Sequence, residues 1–158
     1  DYKIGLDKDL KIVAYEATFY QNAGAACDLS PPVLERTLFH CTNSYYIPNV
    51  TATAYCCRTN LPPNTAFRGF GGPQGMFAIE TVIEQIAQKL GKDPLEVRKV
   101  NLYQDEAVSG NIETITTQYG QEIEDWIGDK VMSQVEQESN YSQRRASINS
   151  YNKDSKGA

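Results

Sequence analysis

The sequence is poor in the residues that most metal and nucleophilic sites need, and it lacks long apolar runs. His40 is the only histidine among 158 residues. With neither a second histidine nor a nucleophile beside it, we expect no catalytic role for this imidazole. No apolar run approaches the roughly 20 residues of a membrane-spanning helix. The P-loop and Rossmann glycine patterns are also absent at their required spacing, which argues against those two modes of phosphate binding.

Four cysteines are present, but their spacing fits no common metal or redox motif. Cys56 and Cys57 are adjacent rather than separated by two residues, and no histidine lies near them to complete a zinc set. Cysteines of this kind are most often buried as small hydrophobic side chains. We therefore predict reduced structural thiols, no metal bound by this chain, and a cytoplasmic protein.

The net negative charge lies in the C-terminal third of the chain. Residues 1–103 carry ten acidic and ten basic side chains, whereas residues 104–158 carry ten acidic and five basic ones. An acidic surface repels the phosphates of nucleic acids and of anionic lipids. We therefore expect neither nucleic acid nor a membrane as a partner.

The most distinctive stretch is Asn64–Gln74, which contains three glycines, an arginine, two phenylalanines and a proline. Glycine tolerates positive φ and close backbone contacts, and proline is favoured in the first turn of a helix. The stretch predicts a tight loop entering a helix N-terminus, where free N–H groups favour an anionic or electron-rich ligand. Arg68 can supply a planar set of donors and Phe70 a flat apolar face. Alternatively, the loop packs on its own domain, with Phe67 and Phe70 as anchors.

Hydrophobic patterning predicts an α+β fold, in which helices pack on a small antiparallel sheet. Strands are expected over residues 3–6, 11–20 and 45–59, the first two forming a hairpin that turns at Asp7–Asp9. Helices are expected over residues 33–40, 73–90, 94–102 and 123–137, with a polar continuation over residues 139–158. Ser30 is the expected N-cap of the first helix, and Gly91 the C-cap of the second.

Arg36 lies in the first predicted helix among apolar neighbours such as Leu34 and Leu38. A guanidinium group in so apolar a setting needs a partner for its charge. An acidic side chain of a neighbouring element, simple exposure to water, or a ligand would each satisfy it. The residues alone do not decide among the three.

The segment Thr59–Met76 resembles the cofactor-binding region of the molybdenum hydroxylases, a family of purine-oxidising and aldehyde-oxidising enzymes. Further matching pieces follow in the same order within residues 2–103: Tyr20–Gly24, Leu34–His40, Ile47–Asn49, Pro94–Arg98 and Asn101–Tyr103. The resemblance implies a molybdenum–molybdopterin cofactor that hydroxylates an aromatic heterocycle, with electrons leaving through iron–sulfur clusters and FAD to NAD. It makes residues 1–103 part of the molybdopterin-binding domain and residues 104–158 an acidic, largely helical connecting segment.

The resemblance also implies roles for individual residues. Phe67, Arg68 and Gly69 are expected to contact the cofactor, and Phe70 to stack on a flat purine. Arg36 falls where the family uses a catalytic arginine, which holds the substrate and stabilises negative charge developing on its ring. Arg36, Arg68 and Phe70 are therefore expected to line one pocket. Aldehyde-oxidising members generally lack this arginine, so oxidation of hypoxanthine and xanthine to urate is favoured over hydroxylation of aldehydes or other N-heterocycles.

Two glutamate-bearing segments of the family are missing from the chain. The resemblance places a Gly-Gly-Lys-Glu segment before Asp1 and a Gly-Glu-Pro segment, with the base glutamate, after Ala158. No cysteine pattern for an iron–sulfur cluster is present either. We therefore expect a fragment whose partners are the remaining domains or subunits of a larger enzyme, and which alone binds no molybdopterin tightly and is inactive. The alternative is a non-catalytic binding or structural module derived from the family.

Overall fold

The computed structural model describes residues 1–105 and 109–155, and the chain divides into two units, Asp1–Glu124 and Asp125–Ala158. Among its described residues, the first unit contains three strands, β1 (Tyr2–Leu6), β2 (Ile12–Gly24) and β3 (Val50–Arg58). Its helices are α1 (Ser30–Phe39), α2 (Gly72–Leu90) and α3 (Pro94–Asn101), followed by a 3-10 turn at Ile112–Ile115. The second unit contains α4 (Gly128–Glu138) and α5 (Tyr141–Ser155).

Strands β1 and β2 form the predicted antiparallel hairpin, in which Ile4 pairs with Tyr15. The turn between them is held by the side chain of Asp7. Its Oδ1 accepts hydrogen bonds from the N–H groups of Asp9 and Lys11, both at 2.9 Å. Aspartate favours turns because its carboxylate can satisfy backbone donors a few residues further on. The hairpin prediction is confirmed.

Strand β3 pairs with β2 in parallel, so the sheet is mixed rather than wholly antiparallel. The register runs from Tyr15 opposite Val50 to Gly24 opposite Arg58. A parallel pair needs a crossover connection, and α1 supplies it. β3 begins later than predicted, after Pro48, because proline has no N–H to donate to a strand ladder. The α+β class, with a small sheet and packed helices, is confirmed.

Helix α1 begins earlier than predicted, and Ser30 is its first residue rather than its N-cap. Leu29 occupies the cap position, and no side chain caps the helix. The Ser30 hydroxyl instead donates to the carbonyl of Asn64 at 2.9 Å. The N-cap prediction is wrong because this long-range hydrogen bond takes the hydroxyl, and the bond fastens α1 to the segment before the glycine loop.

Helix α2 ends as predicted at Gly91, whose φ of +64° is the left-handed conformation typical of a C-cap. Its buried face carries apolar residues at spacings of three or four, including Ile79, Ile83 and Ile86, each no more than 5% exposed. Burying an isoleucine contributes roughly 1.5–3 kcal/mol. This face packs against α1 and α3, so α2 is the helix around which the first unit is assembled.

The side chain of Asn101, only 3% exposed, joins the end of α3 to the hairpin. Its Oδ1 accepts a hydrogen bond from the Ile12 N–H at 2.7 Å. Its Nδ2 donates to the carbonyls of Leu10 and Val97 at 2.9 and 2.8 Å. One buried amide therefore satisfies three backbone groups, and each would cost free energy if left without a partner.

Replacing Asn101 by leucine is expected to lower the free energy of unfolding by about 2–4 kcal/mol, because the Ile12 N–H and the Leu10 carbonyl lose their partner. Urea unfolding followed by circular dichroism measures the change. Asn60→Leu is the control: Asn60 is exposed, and the change should stay within about 0.5 kcal/mol. Equal midpoints for the two variants would contradict the role of Asn101.

The four cysteines are free thiols, but only Cys41 lies in the core. Burial raises the pKa of the Cys41 thiol to about 11, so it stays protonated at neutral pH. The prediction of buried thiols is right for Cys41 and wrong for Cys27 and Cys56, which are exposed. Cys27 lies in the loop before α1, and Cys56 lies on β3, an edge strand of the sheet.

The second unit is helical, and no side chain of α4 is buried. The helix predicted over residues 123–137 begins only at Gly128; before it, the Ile123 N–H donates to the Ile115 carbonyl at 2.8 Å. The predicted continuation is present as α5, and its last residues, 156–158, lie outside the described part of the chain. The boundary predicted at residue 103 stays a prediction. None of the helices described is long and apolar enough to cross a membrane.

Candidate functional site

The loop that enters α2 has three consecutive residues with left-handed backbone. The φ values are +94° at Gly69, +52° at Phe70 and +103° at Gly71. Hydrogen bonds of 2.9 Å, from the Phe70 N–H to the Phe67 carbonyl and from the Gly72 N–H to the Gly69 carbonyl, close two successive turns. Positive φ suits glycine but is uncommon for a bulky residue such as Phe70, and such strain is concentrated at functional sites.

The loop lies against α1 through glycines that leave no room for a side chain. A Cβ at Gly71 would lie 1.9 Å from the Val33 carbonyl oxygen, and one at Gly75 would lie 2.5 Å from that of Thr37. The buried Thr37 hydroxyl is 3.0 Å from the Gly71 carbonyl and 3.1 Å from the Val33 carbonyl, and the Gln21 amide donates to it at 2.6 Å. These contacts fix the start of α2 against α1.

The side chains predicted to contact a cofactor point away from this packing. Phe67 is 86% exposed, and Arg68 is also exposed. Within the described residues, Arg68 forms no hydrogen bond or ion pair. Phe70 is half-buried. The loop packs on its own domain, as the alternative interpretation predicted. The close contacts are made by the glycine backbone, however, and the exposed Phe67 is not an anchor.

Arg36 lies on the exposed side of α1, with Nη1 3.4 Å from Nε2 of His40 one turn later. In the described part of the chain, it forms no ion pair with a carboxylate and no hydrogen bond to the glycine loop. Arg36 is therefore exposed to water and, among the described residues, not paired with an acidic side chain; the role of a ligand stays a prediction. The His40 ring also packs on α2, since a Cβ at Gly72 would lie 3.1 Å from ring atom Cδ2. Arg36 is thereby connected to the start of α2 through His40.

Burial and the positive charge of Arg36 lower the pKa of His40 below its ordinary value of 6.5. In the unfolded chain, His40 therefore binds a proton at a higher pH than it does in the folded chain. The stabilisation linked to His40 is present above pH 6.5 and is lost as the pH falls through the pKa of the folded state. The imidazole beside Arg36 is thus neutral at neutral pH.

Replacing Arg36 by methionine is expected to raise the pKa of His40, because the repulsion between two cations disappears while burial remains. Proton NMR of the chain at a series of pH values measures this pKa. Since His40 is the only histidine, its ring signals are identified directly. Arg58→Met, at the exposed end of β3, should leave the pKa unchanged. An equal pKa in wild type and Arg36→Met would contradict the interaction.

Two cavities described in the first unit lie away from the predicted site residues. One, of about 200 Å³, is lined by Ile12, Val100 and Asn101 among others. The second, of about 690 Å³, includes Tyr46 and Glu113. Neither contains a predicted site residue, so the common pocket of Arg36, Arg68 and Phe70 stays a prediction.

Three residues that organise the site were given no role in it from the sequence: Gln21, Thr37 and His40. Thr37 follows Val33 by four residues and His40 follows Thr37 by three, which places all three on one face of α1. That spacing was the available signal that this face packs on another helix. The contact between Gln21 and Thr37 depends on the parallel crossover and has no local signature.

Residues 1–102 match the family described as molybdopterin cofactor-binding domain. The chain is 42% identical over 155 residues to a xanthine dehydrogenase of Drosophila subobscura, covering 98% of this chain and 11% of the relative. It is 40% identical over 152 residues to a nicotinate hydroxylase of Emericella nidulans, covering 96% and 11%. Its fold matches an aldehyde oxidoreductase of Desulfovibrio gigas with a TM-score of 0.79 at 29% identity, covering 93% of this chain and 15% of that structure. The chain thus spans about a tenth of the length of these curated relatives.

Proposed function

Because this chain belongs to the molybdopterin cofactor-binding domain family, we propose that it is part of a longer xanthine dehydrogenase that oxidises hypoxanthine and xanthine to urate. The observation that carries the proposal is the position of Arg36 on α1. Through His40, this arginine is connected to Gly72, the residue at which the glycine loop becomes α2. The proposed substrate-binding cation and the proposed cofactor-binding loop are therefore connected through one imidazole.

The guanidinium group of Arg36 is proposed to hold the purine and to stabilise negative charge that develops on its ring. In the described part of the chain, no carboxylate neutralises this charge. Phe70 is proposed to stack on the purine, since a flat aromatic face suits a flat heterocycle. Its left-handed backbone, between two glycines that are also left-handed, restricts the directions in which the ring can point.

Phe67, Arg68 and Gly69 are proposed to contact the molybdenum–molybdopterin cofactor, whose molybdenum would supply the two-electron oxidation when bound. Phe67 supplies an exposed aromatic ring, and Arg68 supplies a guanidinium group without a partner among the described residues. Together with the N-terminus of α2, these groups suit a flat anionic ligand. The described residues contain no cluster of His, Cys, Asp or Glu side chains that could hold a metal ion. The proposed contacts are therefore with the organic part of the cofactor.

The rest of the electron pathway belongs to the same proposal. Iron–sulfur clusters and FAD would lie in other parts of the longer protein, NAD would accept the electrons, and the enzyme would be cytoplasmic. The remaining domains or subunits are the proposed partners of this chain. Without them, we expect the chain to bind no molybdopterin tightly and to turn over no substrate.

Hydroxylation of another N-heterocycle is the second candidate. The identity of 40% to a nicotinate hydroxylase is close to the 42% to a xanthine dehydrogenase. Arg36 would suit this chemistry as well, because a guanidinium group binds a carboxylate through paired hydrogen bonds. Aldehyde oxidation is less favoured, since it offers no comparable use for the arginine.

The substrate preference of the longer enzyme tests the proposal. We expect kcat/KM for xanthine to exceed that for nicotinate and for benzaldehyde by at least about tenfold, which corresponds to roughly 1.4 kcal/mol of transition-state stabilisation. Molybdenum and pterin content are measured on the same preparation. A preference for nicotinate would favour the second candidate. A preparation that contains no molybdenum and is inactive on all three substrates would favour a non-catalytic module.

A further inference from the structure

His40 is tied to Arg36 through both its backbone and its side chain. The His40 N–H donates to the Arg36 carbonyl at 3.2 Å, and the two side chains meet at 3.4 Å between Nε2 and Nη1. The ring has little freedom to move away, because it lies against Gly72 at the start of α2. Two helices therefore define the position of this imidazole.

The chemistry of the two side chains fixes the direction of their hydrogen bond. A guanidinium group has only donors, so Nε2 of His40 must be the acceptor and the ring proton must lie on Nδ1. The ring must also be neutral, which agrees with the lowered pKa of His40. A hydrogen bond from a charged donor is stronger than one between neutral groups.

We propose that His40 is a positioning residue for Arg36, because its Nε2 accepts a hydrogen bond from the guanidinium group while its ring rests on Gly72. The hydrogen bond holds the exposed end of a long, flexible side chain in one orientation. It also makes the position of that charge depend on the start of α2, and therefore on the loop that carries Phe70. The inference rests on the proposed function, since Arg36 must act on substrate for its orientation to matter.

Two variants of His40 in the longer enzyme test the proposal. His40→Phe keeps a ring against Gly72 but removes the acceptor, whereas His40→Gln keeps an acceptor at a similar distance from the backbone. For xanthine, His40→Phe is expected to lower kcat/KM about tenfold, the effect of losing one charge-assisted hydrogen bond. His40→Gln should recover most of that loss. Both variants should oxidise benzaldehyde at rates within about twofold of wild type. The arginine stabilises negative charge that develops on a purine ring, and benzaldehyde has no such ring.

A second measurement does not depend on turnover. In nitrogen-15 NMR spectra of the chain at neutral pH, the single imidazole should appear neutral, with its proton on Nδ1. In the Arg36→Met variant, the Nε2 resonance should shift, because its donor is gone. A neutral ring protonated at Nε2, or spectra identical in the two proteins, would overturn the proposal.

The outcomes separate the inference from the proposed function. Wild-type kinetics in His40→Phe would overturn the positioning role while leaving xanthine oxidation intact. Equal losses with xanthine and benzaldehyde in both His40 variants would show a merely structural residue and would also overturn it. If the wild-type enzyme does not oxidise xanthine, the proposed function fails, and the NMR result decides whether the contact between His40 and Arg36 exists.

Discussion

Replacing Arg36 by methionine is expected to lower kcat/KM for xanthine by at least about a hundredfold in the longer enzyme. A preorganised donor aimed at charge that develops in the transition state contributes about 2.7–4 kcal/mol, which corresponds to a factor of roughly a hundred to a thousand. Methionine keeps an unbranched, flexible side chain but carries neither charge nor N–H donors. Oxidation of benzaldehyde should change little, because its ring does not develop the charge that the arginine stabilises.

The structure also indicates that Arg36→Met leaves folding intact. Arg36 is exposed and, among the described residues, has no carboxylate partner whose charge would be left unpaired. Exposed substitutions of this kind usually change the free energy of unfolding by less than about 0.5 kcal/mol. Steady-state kinetics with both substrates measure the effect, and Arg58→Met is the matched control at another exposed arginine. Undiminished xanthine oxidation in Arg36→Met would refute the role assigned to this residue.

Replacing Gly71 by alanine is expected to lower the free energy of unfolding by at least about 3 kcal/mol. Two separate effects add at this position. The added Cβ would lie 1.9 Å from the carbonyl oxygen of Val33, a backbone atom that cannot rotate away. The φ of +103° is also strained for a residue with a side chain. The start of α2 must therefore move off α1, which breaks the hydrogen bond between Thr37 and the Gly71 carbonyl.

Gly91→Ala separates the effect of close packing from that of positive φ alone. Gly91 has a φ of +64°, but a Cβ there would meet nothing within 4 Å. Its replacement should cost only about 1 kcal/mol, the usual penalty for a left-handed residue that gains a side chain. Thermal and urea unfolding of the two variants measure the difference. If Gly71→Ala is no less stable than Gly91→Ala, the close contact between the loop and α1 is absent.

The hairpin and helix α2 were predicted correctly, because both depend on residues that are close together in the sequence. The hairpin and helix α2 are set by turn chemistry at Asp7, by regularly spaced apolar side chains, and by Gly91 at the helix end. The parallel pairing of β3 with β2 was not predicted, because strand direction depends on where the crossover helix lies. Ser30 was misassigned for a related reason, since its hydroxyl bonds to a residue distant in the sequence.

The site was predicted in part. The features that were not predicted depend on contacts between residues distant in the sequence. The glycines of the loop predicted a turn into a helix, and the structure has that turn with left-handed backbone at Gly69–Gly71. The sequence could not indicate that Gly71 and Gly75 pack directly on α1, because the contact depends on how two helices pack together. His40 was set aside as a catalytic residue for lack of a nucleophile, although its spacing of four residues from Arg36 in the predicted helix already indicates that the two side chains are neighbours. The roles of Arg36, Phe67, Arg68, Gly69 and Phe70 remain predictions.

The parallel pairing of β2 with β3 has a consequence for the order in which the chain folds. The hairpin closes a short loop, whereas the β2–β3 pair encloses the whole of α1. Closing a longer loop costs more entropy, and pairing between distant segments is slower. We therefore expect the hairpin to form first, and the parallel pair, with α1 in its crossover, to form later. Substitutions that weaken the parallel pair should then reduce the yield of folded protein, while the molecules that do fold retain an unchanged KM.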